Sequence, residues 1–182
     1  MPLLPIAIKT GPLTSFFYLC KMSEAVIILG GNEGNVKETF LGCKKRFESR
    51  GYKLSNISSI YSSPSWGYDS ENRFYNQVLT FKTNKSPQDV LKDCLLLETE
   101  FGRLRDNSGE YHDRPIDIDI LFYDEATVEE ENLTIPHPRL HERKFCLVPL
   151  LEIAPGFIHP VLKKTIGELL AQCTDESKIT RE

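Results

Sequence analysis

The run Arg114-Pro115-Ile116-Asp117-Ile118-Asp119-Ile120-Leu121-Phe122-Tyr123 governs how the rest of this chain is read. Side chains alternate faces along a strand, so Ile116, Ile118 and Ile120 share one face while Asp117 and Asp119 share the other. Two carboxylates side by side repel at neutral pH unless a cation sits between them or burial keeps one protonated. A divalent metal answers that problem. Hard oxygen ligands on one strand suit Mg²⁺, which binds one or two protein carboxylates together with substrate phosphates. An amphipathic strand with two solvated aspartates shows the same alternation, so the pair alone leaves both readings open. The surrounding residues favour phosphate chemistry: Arg103 and Arg105 lie upstream, Arg114 opens the strand, and His137 and Arg143 follow.

At 182 residues the chain is long enough to bury one core without disulfides or metals, and a single domain is expected. A formal charge of −4 argues against a general affinity for nucleic acid or anionic membrane, since both need a basic surface. Cys20, Cys43, Cys94, Cys146 and Cys173 are odd in number and widely spaced, with no Cys-x-x-Cys pair, and read as reduced thiols of a cytoplasmic protein. No stretch approaches the roughly 18–20 apolar residues of a membrane span. Leu13 to Cys20 is mildly apolar but lacks the continuous core and cleavage site of a signal peptide. Residues 1–22 therefore read as an N-terminal extension, with Met22 the expected natural start and an ordered surface extension the alternative; residues 23–182 form the domain.

Outward from the carboxylate strand, the elements alternate in a definite order. Ala25 to Leu29 is a short β-branched strand, with Gly30-Gly31-Asn32 expected to stop it. Asn35 and Glu38 have capping-box spacing, and Val36, Phe40, Cys43 and Phe47 recur at helical intervals, giving a helix over 35–50 closed by Gly51. Tyr52 to Tyr61 and Phe74 to Thr83 alternate as strands, separated by a loop over 62–72 that holds the only tryptophan. Ser86 and Pro87 start a second helix ending at Phe101-Gly102. Residues 116–123 complete strand, helix, strand, strand, helix, strand: an α+β, ferredoxin-like βαββαβ two-layer sandwich. The C-terminal additions are a small hairpin, a turn at Pro136-His137-Pro138, and helices near 145–152 and 164–172.

Several segments in this order resemble one family: Leu29-Gly30-Gly31-Asn32, Ser63-Pro64-Ser65-Trp66-Gly67, Phe74-Tyr75-Asn76, Glu98 through Gly102-Arg103-Leu104-Arg105, Arg114 through Asp119, Ile135-Pro136-His137-Pro138-Arg139, and Arg143-Lys144-Phe145 with Pro149-Leu150-x-Glu152-Ile153-Ala154-Pro155. Over about residues 25–155 the chain is similar to the 6-hydroxymethyl-7,8-dihydropterin pyrophosphokinases of folate biosynthesis. The resemblance implies ATP and 6-hydroxymethyl-7,8-dihydropterin as substrates, transfer of the β,γ-pyrophosphoryl group to the hydroxymethyl oxygen, and release of AMP. No residues resembling a dihydropteroate synthase or dihydroneopterin aldolase domain are appended, so a monofunctional form is expected, as a monomer, and the charge leaves no nucleic-acid or membrane partner expected.

By the same resemblance, Asp117 and Asp119 hold two Mg²⁺ ions, and Arg103 and Arg114 complete the catalytic set. Arg103, Arg105, Arg114, His137 and Arg143 contact the phosphates, arginine through fork-shaped donor pairs and histidine through one N–H. The adenine pocket falls at Ile120 and Leu133-Thr134. A flat heteroaromatic substrate needs a slot between rings and a hydrogen-bonding edge. Phe74 and Phe145 match the stacking pair, Asn76 reaches the pterin edge from the same strand face as Phe74, and Ser63, Pro64 and Trp66 complete it. Glu98 matches a supporting position. Loop 106–113, Asp-Asn-Ser-Gly-Glu-Tyr-His-Asp, lacks the basic residues and tryptophan that related proteins often carry, which predicts a weaker contribution to closure over ATP, with Tyr111 standing in for the aromatic. Three rivals remain distinct: an RNA-binding module on the same fold, which would need a basic aromatic sheet face, a phosphotransferase leaving ADP, and a catalytically dead relative in which residues 114–123 form only a structural strand.

Overall fold

In the computed structural model, residues 22–67, 70–103 and 112–182 are described. The elements run β1 (Ser23–Gly31), α1 (Val36–Ser49), β2 (Lys53–Ile57), β3 (Tyr61–Ser63), β4 (Phe74–Thr83), α2 (Pro87–Glu100) and β5 (Asp117–Tyr123). They continue with β6 (Val128–Glu130), β7 (Leu133–Ile135), a 3-10 turn at Leu140–Glu142, α3 (Lys144–Ile153), α4 (Ile166–Gln172) and β8 (Thr180–Arg181). The main sheet has the order β5-β1-β4-β3-β8, with β2 also pairing with β4, and each described pairing in it is antiparallel. This is the ferredoxin-like arrangement that the element order predicts.

β1 is central and buried on both faces. Ala25, Ile27 and Leu29 meet Phe40, Phe47 and Leu97 of α1 and α2, while Val26 and Ile28 meet Leu147, Leu150 and Leu169 of α3 and α4. The C-terminal additions thus turn the two-layer core into three layers over part of the sheet. That second apolar layer stops short: towards the C-terminal end of β1, its face carries Gly30, Asn76, Asp117 and Asp119 instead of aliphatic side chains.

Three local expectations change. Gly30 and Gly31 lie inside β1, paired with Asn76 and Tyr75, because a side chain at Gly31 would stand 2.6 Å from the Pro115 carbonyl oxygen; the left-handed turn residue is Gly34. The strand expected over 52–61 divides at Ser58, whose hydroxyl takes the Val78 N–H at 3.0 Å while donating to the Ser59 carbonyl at 2.7 Å. Such side-chain bonds compete with the ladder, and the register moves by one residue between Ile57↔Leu79 and Tyr61↔Asn76. The last helix begins at Ile166 because Thr165 and Glu168 form a reciprocal capping box. Asn35 caps α1 as expected, accepting from the Glu38 N–H at 3.4 Å. Cys43, Cys94, Cys146 and Cys173 are free thiols.

Candidate active site

The carboxylate pair is built from the helix behind it as well as from its own strand. Glu98, in the last turn of α2, is fully buried and accepts the Ile118 N–H at 2.8 Å and the Arg103 guanidinium. A buried carboxylate is tolerable only when paired and hydrogen-bonded, so these contacts explain its place. Arg103 bridges on to Asp117, and Arg114 reaches the other Asp117 oxygen at 2.9 Å. Arg114 is set by Asn32: the Asn32 Oδ1 accepts the Arg114 N–H at 2.9 Å, and the Asn32 N–H donates to the Arg114 carbonyl at 3.0 Å.

Asp119 has weaker support. Its Oδ2 lies 3.8 Å from both His137 Nε2 and Arg143 Nη1. Burial and the Asp117 charge push its carboxyl up to about 6, against the opposing pull of Arg143. Burial acts on Asp117 in the same sense, but Arg114 and Arg103 outweigh it and hold that carboxyl below the usual range. Neighbouring aspartates therefore differ in their readiness to ionise. His137 is pushed down to about 4 by burial, Arg143 and Arg139, and its Nδ1 accepts the Arg139 N–H at 3.2 Å. A neutral ring accepting at Nδ1 carries its proton at Nε2, so His137 presents an uncharged donor towards Asp119.

The opposite wall is aromatic. Phe74 and Asn76 of β4 line a cleft of about 230 Å³ together with Ser63, Pro64 and Phe145 of α3. Asn76 Nδ2 donates to Ser63 Oγ at 3.3 Å. Trp66 packs under two guanidinium groups, Arg143 at 4.8 Å and Arg139 at 5.8 Å, while Arg114 lies 5.6 Å from the Phe74 ring. A second cleft, between α2 and the β6–β7 hairpin, is lined by Ile120, Leu133 and Thr134. The two clefts share Asp119 and His137.

Residues 26–155 match the family model of 7,8-dihydro-6-hydroxymethylpterin-pyrophosphokinase, HPPK. The chain belongs to the HPPK family. It is 35% identical over 153 residues to the 2-amino-4-hydroxy-6-hydroxymethyldihydropteridine pyrophosphokinase of Aquifex aeolicus, covering 84% of this chain and 94% of that protein. The Synechocystis protein of the same name is 37% identical over 153 residues, covering 82% of this chain and 77% of its own length. Among solved structures, wild-type Plasmodium falciparum HPPK-DHPS with pteroate superposes with a TM-score of 0.66 at 17% identity, a likeness of fold alone. The match covers 84% of this chain and 44% of that longer one.

Within this HPPK fold, twelve of the residues picked out from sequence line the first cleft: the two aspartates, Arg103, Arg114, His137 and Arg143, and the six of the pterin slot. Ile120 and Thr134 line the second, and Arg105 and Tyr111 lie outside the described residues. Sequence reading missed Arg139, although it ends the quoted Pro136-His137-Pro138-Arg139 run. It also missed Asn32, whose place directly after two glycines was read only as a turn. Glu98 is more closely tied to the site than a merely supporting position suggests.

Proposed function

We propose that this chain transfers the β,γ-pyrophosphoryl group of ATP to the hydroxymethyl oxygen of 6-hydroxymethyl-7,8-dihydropterin, releasing AMP, in keeping with its place in the HPPK family. The observation that carries this reading is the meeting of the two clefts at Asp119 and His137, with an aromatic slot on one side and the groove lined by Ile120, Leu133 and Thr134 on the other. In-line transfer between two bound substrates needs positioning and charge neutralisation more than covalent help from the protein.

Asp117 and Asp119 suit Mg²⁺. The donors are hard oxygens, the Asp119 carboxylate is poorly compensated, and no third acidic, histidine or cysteine side chain joins them in a metal-binding group among the described residues. That leaves coordination to water and phosphate oxygens, as Mg²⁺ prefers. Bound there, two Mg²⁺ ions supply neutralisation and polarisation of the polyphosphate.

The chain's own groups do the rest. Arg114 and Arg143 each keep a buried Nε without a hydrogen-bond partner among the described residues, donors suited to phosphate oxygens. His137 adds an uncharged N–H, and Arg105 a further cation from the loop. Arg103, held by Glu98, keeps Asp117 ionised and oriented. Phe74 and Phe145 stack on the pterin, Asn76 both donates to and accepts from its edge, Ser63 and Pro64 offer backbone groups, and Trp66 covers the slot. Ile120 and Thr134 receive the adenine beside the outer edge of β5. The same reading takes residues 23–182 as one domain acting as a cytoplasmic monomer, with residues 1–22 an extension. No helix of the described residues is long and apolar enough to cross a membrane.

Chromatography of nucleotides after incubation with ATP, Mg²⁺ and the pterin, against a control without pterin, tests the proposal. AMP formed only with pterin present is the expected result; ADP alone, or no turnover, overturns it.

A further inference from the structure

Glu152 lies in the last turn of α3, away from the carboxylates, yet its side chain gathers donors from separate parts of the chain. Its Oε2 accepts the Ser59 N–H at 2.9 Å and the Tyr61 hydroxyl at 3.0 Å; its Oε1 accepts the Ser59 hydroxyl at 2.9 Å and Arg181 Nη2 at 3.3 Å. A carboxylate offers about four acceptor positions, and here all are filled. Arg181 Nε also donates to Ser59 Oγ at 2.8 Å, closing the cluster from β8. Against the opposing pull of burial, the Ser59, Tyr61 and Arg181 contacts hold the Glu152 carboxyl below its usual range.

We propose that Glu152 is a positioning residue that fixes α3 against β3 and so holds the two sides of the pterin slot at their working separation. This rests on the pterin reading of the slot given above. Glu152 and Phe145 are seven residues apart, two turns of helix to within about 20°, so they share one face of α3 and stand about 10 Å apart along its axis. On the facing segment, Ser59 lies two residues before β3 and Ser63 ends it, four residues apart, about 13 Å in extended chain. The two spans, about 10 Å and about 13 Å, are comparable in length. Anchoring Glu152 to Ser59 at one end therefore sets where Phe145 stands relative to Ser63 at the other, and Ser63 pairs directly with Phe74.

Apolar packing alone would not fix this alignment. α3 buries Cys146, Leu147 and Leu150 against the sheet, and hydrophobic attraction has no preferred direction along it. Four directed hydrogen bonds at one carboxylate do. Arg181 lies beyond residues 26–155, so part of this anchor comes from outside the matched family region.

Steady-state kinetics of Glu152→Ala, Glu152→Gln and Arg181→Ala, with thermal melts of each, test the assignment in the AMP-forming assay. Glu152→Ala is expected to raise the pterin KM about tenfold while leaving the ATP KM near that of the parent, because only one of the two substrates uses the slot. Glu152→Gln gives a smaller rise, and Arg181→Ala, which removes one donor group, the smallest. The melts separate this from general damage: an unchanged pterin KM overturns the proposal, as does a joint rise in both KM values with a fall in Tm. If Glu152→Ala does not fold, Arg181→Ala decides by the same split, and an unchanged pterin KM there overturns it. A parent protein that forms no AMP instead sinks the functional reading, and the positioning role falls with it.

Discussion

Asp119 carries an electrostatic conflict that Asp117 escapes. Burial and the adjacent carboxylate raise its pKa from 3.8 to about 6, so the folded state binds its proton more tightly than the unfolded chain does. Stability from this group is therefore present at low pH and is lost as pH rises through about 6. Without divalent cations, Asp119→Asn should melt higher than the parent. The gap should open between about pH 4 and 6 and persist above that, at about 2–4 °C for each kcal/mol relieved in a chain of this length. The same variant should have lost turnover, and equal melting at pH 8 would remove the conflict from the account. Asn76→Ala makes the complementary test in the slot: it should raise the pterin KM and leave the ATP KM unchanged, as steady-state titration of each substrate would show. At this scale strand alternation put Asp117 and Asp119 on one face and Asn76 on the face of Phe74, and the structure brings all four into one cleft, but their proposed roles came from the family resemblance and not from the alternation. Arg139 gave no such signal. Its stacking on Trp66 joins residues 73 positions apart, and no periodicity encodes such a contact.

Elements were legible where one period dominates. The 3.6-residue spacing of Val36, Phe40, Cys43 and Phe47 marks α1, and the Ser86-Pro87 start marks α2, which the structure shows with Ser86 accepting from the Asp89 N–H. β2 and β3 were read as one strand because Ser58 fits the alternation, while its hydroxyl bonding breaks the ladder. β8 is only two residues long and is defined by its partner β3, so local sequence gives it no signature. The tie between α2 and β5 is the element-scale contact with most at stake. Glu98→Ala removes the acceptor for the Ile118 N–H and one partner of Arg103, and should cost about 3 kcal/mol in chemical denaturation, the order found when one half of a buried pair is deleted. A loss below about 1 kcal/mol would mean that β5 does not depend on this carboxylate.

For the whole molecule, the ferredoxin-like core could be read from element order, but the third layer could not. The helical stretches near 145–152 and 164–172 show that helices exist, while the face they cover depends on which strand neighbours leave apolar surface open. Val26, Ile28 and Val78 leave that surface, and α3 and α4 cover it only up to the edge of the polar cleft. On the proposed reading of the slot, stability and substrate recognition therefore share an element. Leu150→Ala, in the middle of that layer, should cost about 2–5 kcal/mol and also raise the pterin KM, since α3 carries Phe145; denaturant melts and kinetics on one preparation check both. Trp66 gives this arrangement an optical consequence. It is the sole indole of the chain, and its two nearby guanidinium groups belong to residues that line the reactive cleft. Its fluorescence is thus a label already in place, free of background from any other tryptophan, and stopped-flow emission can time the covering of the slot without a dye or an engineered reporter.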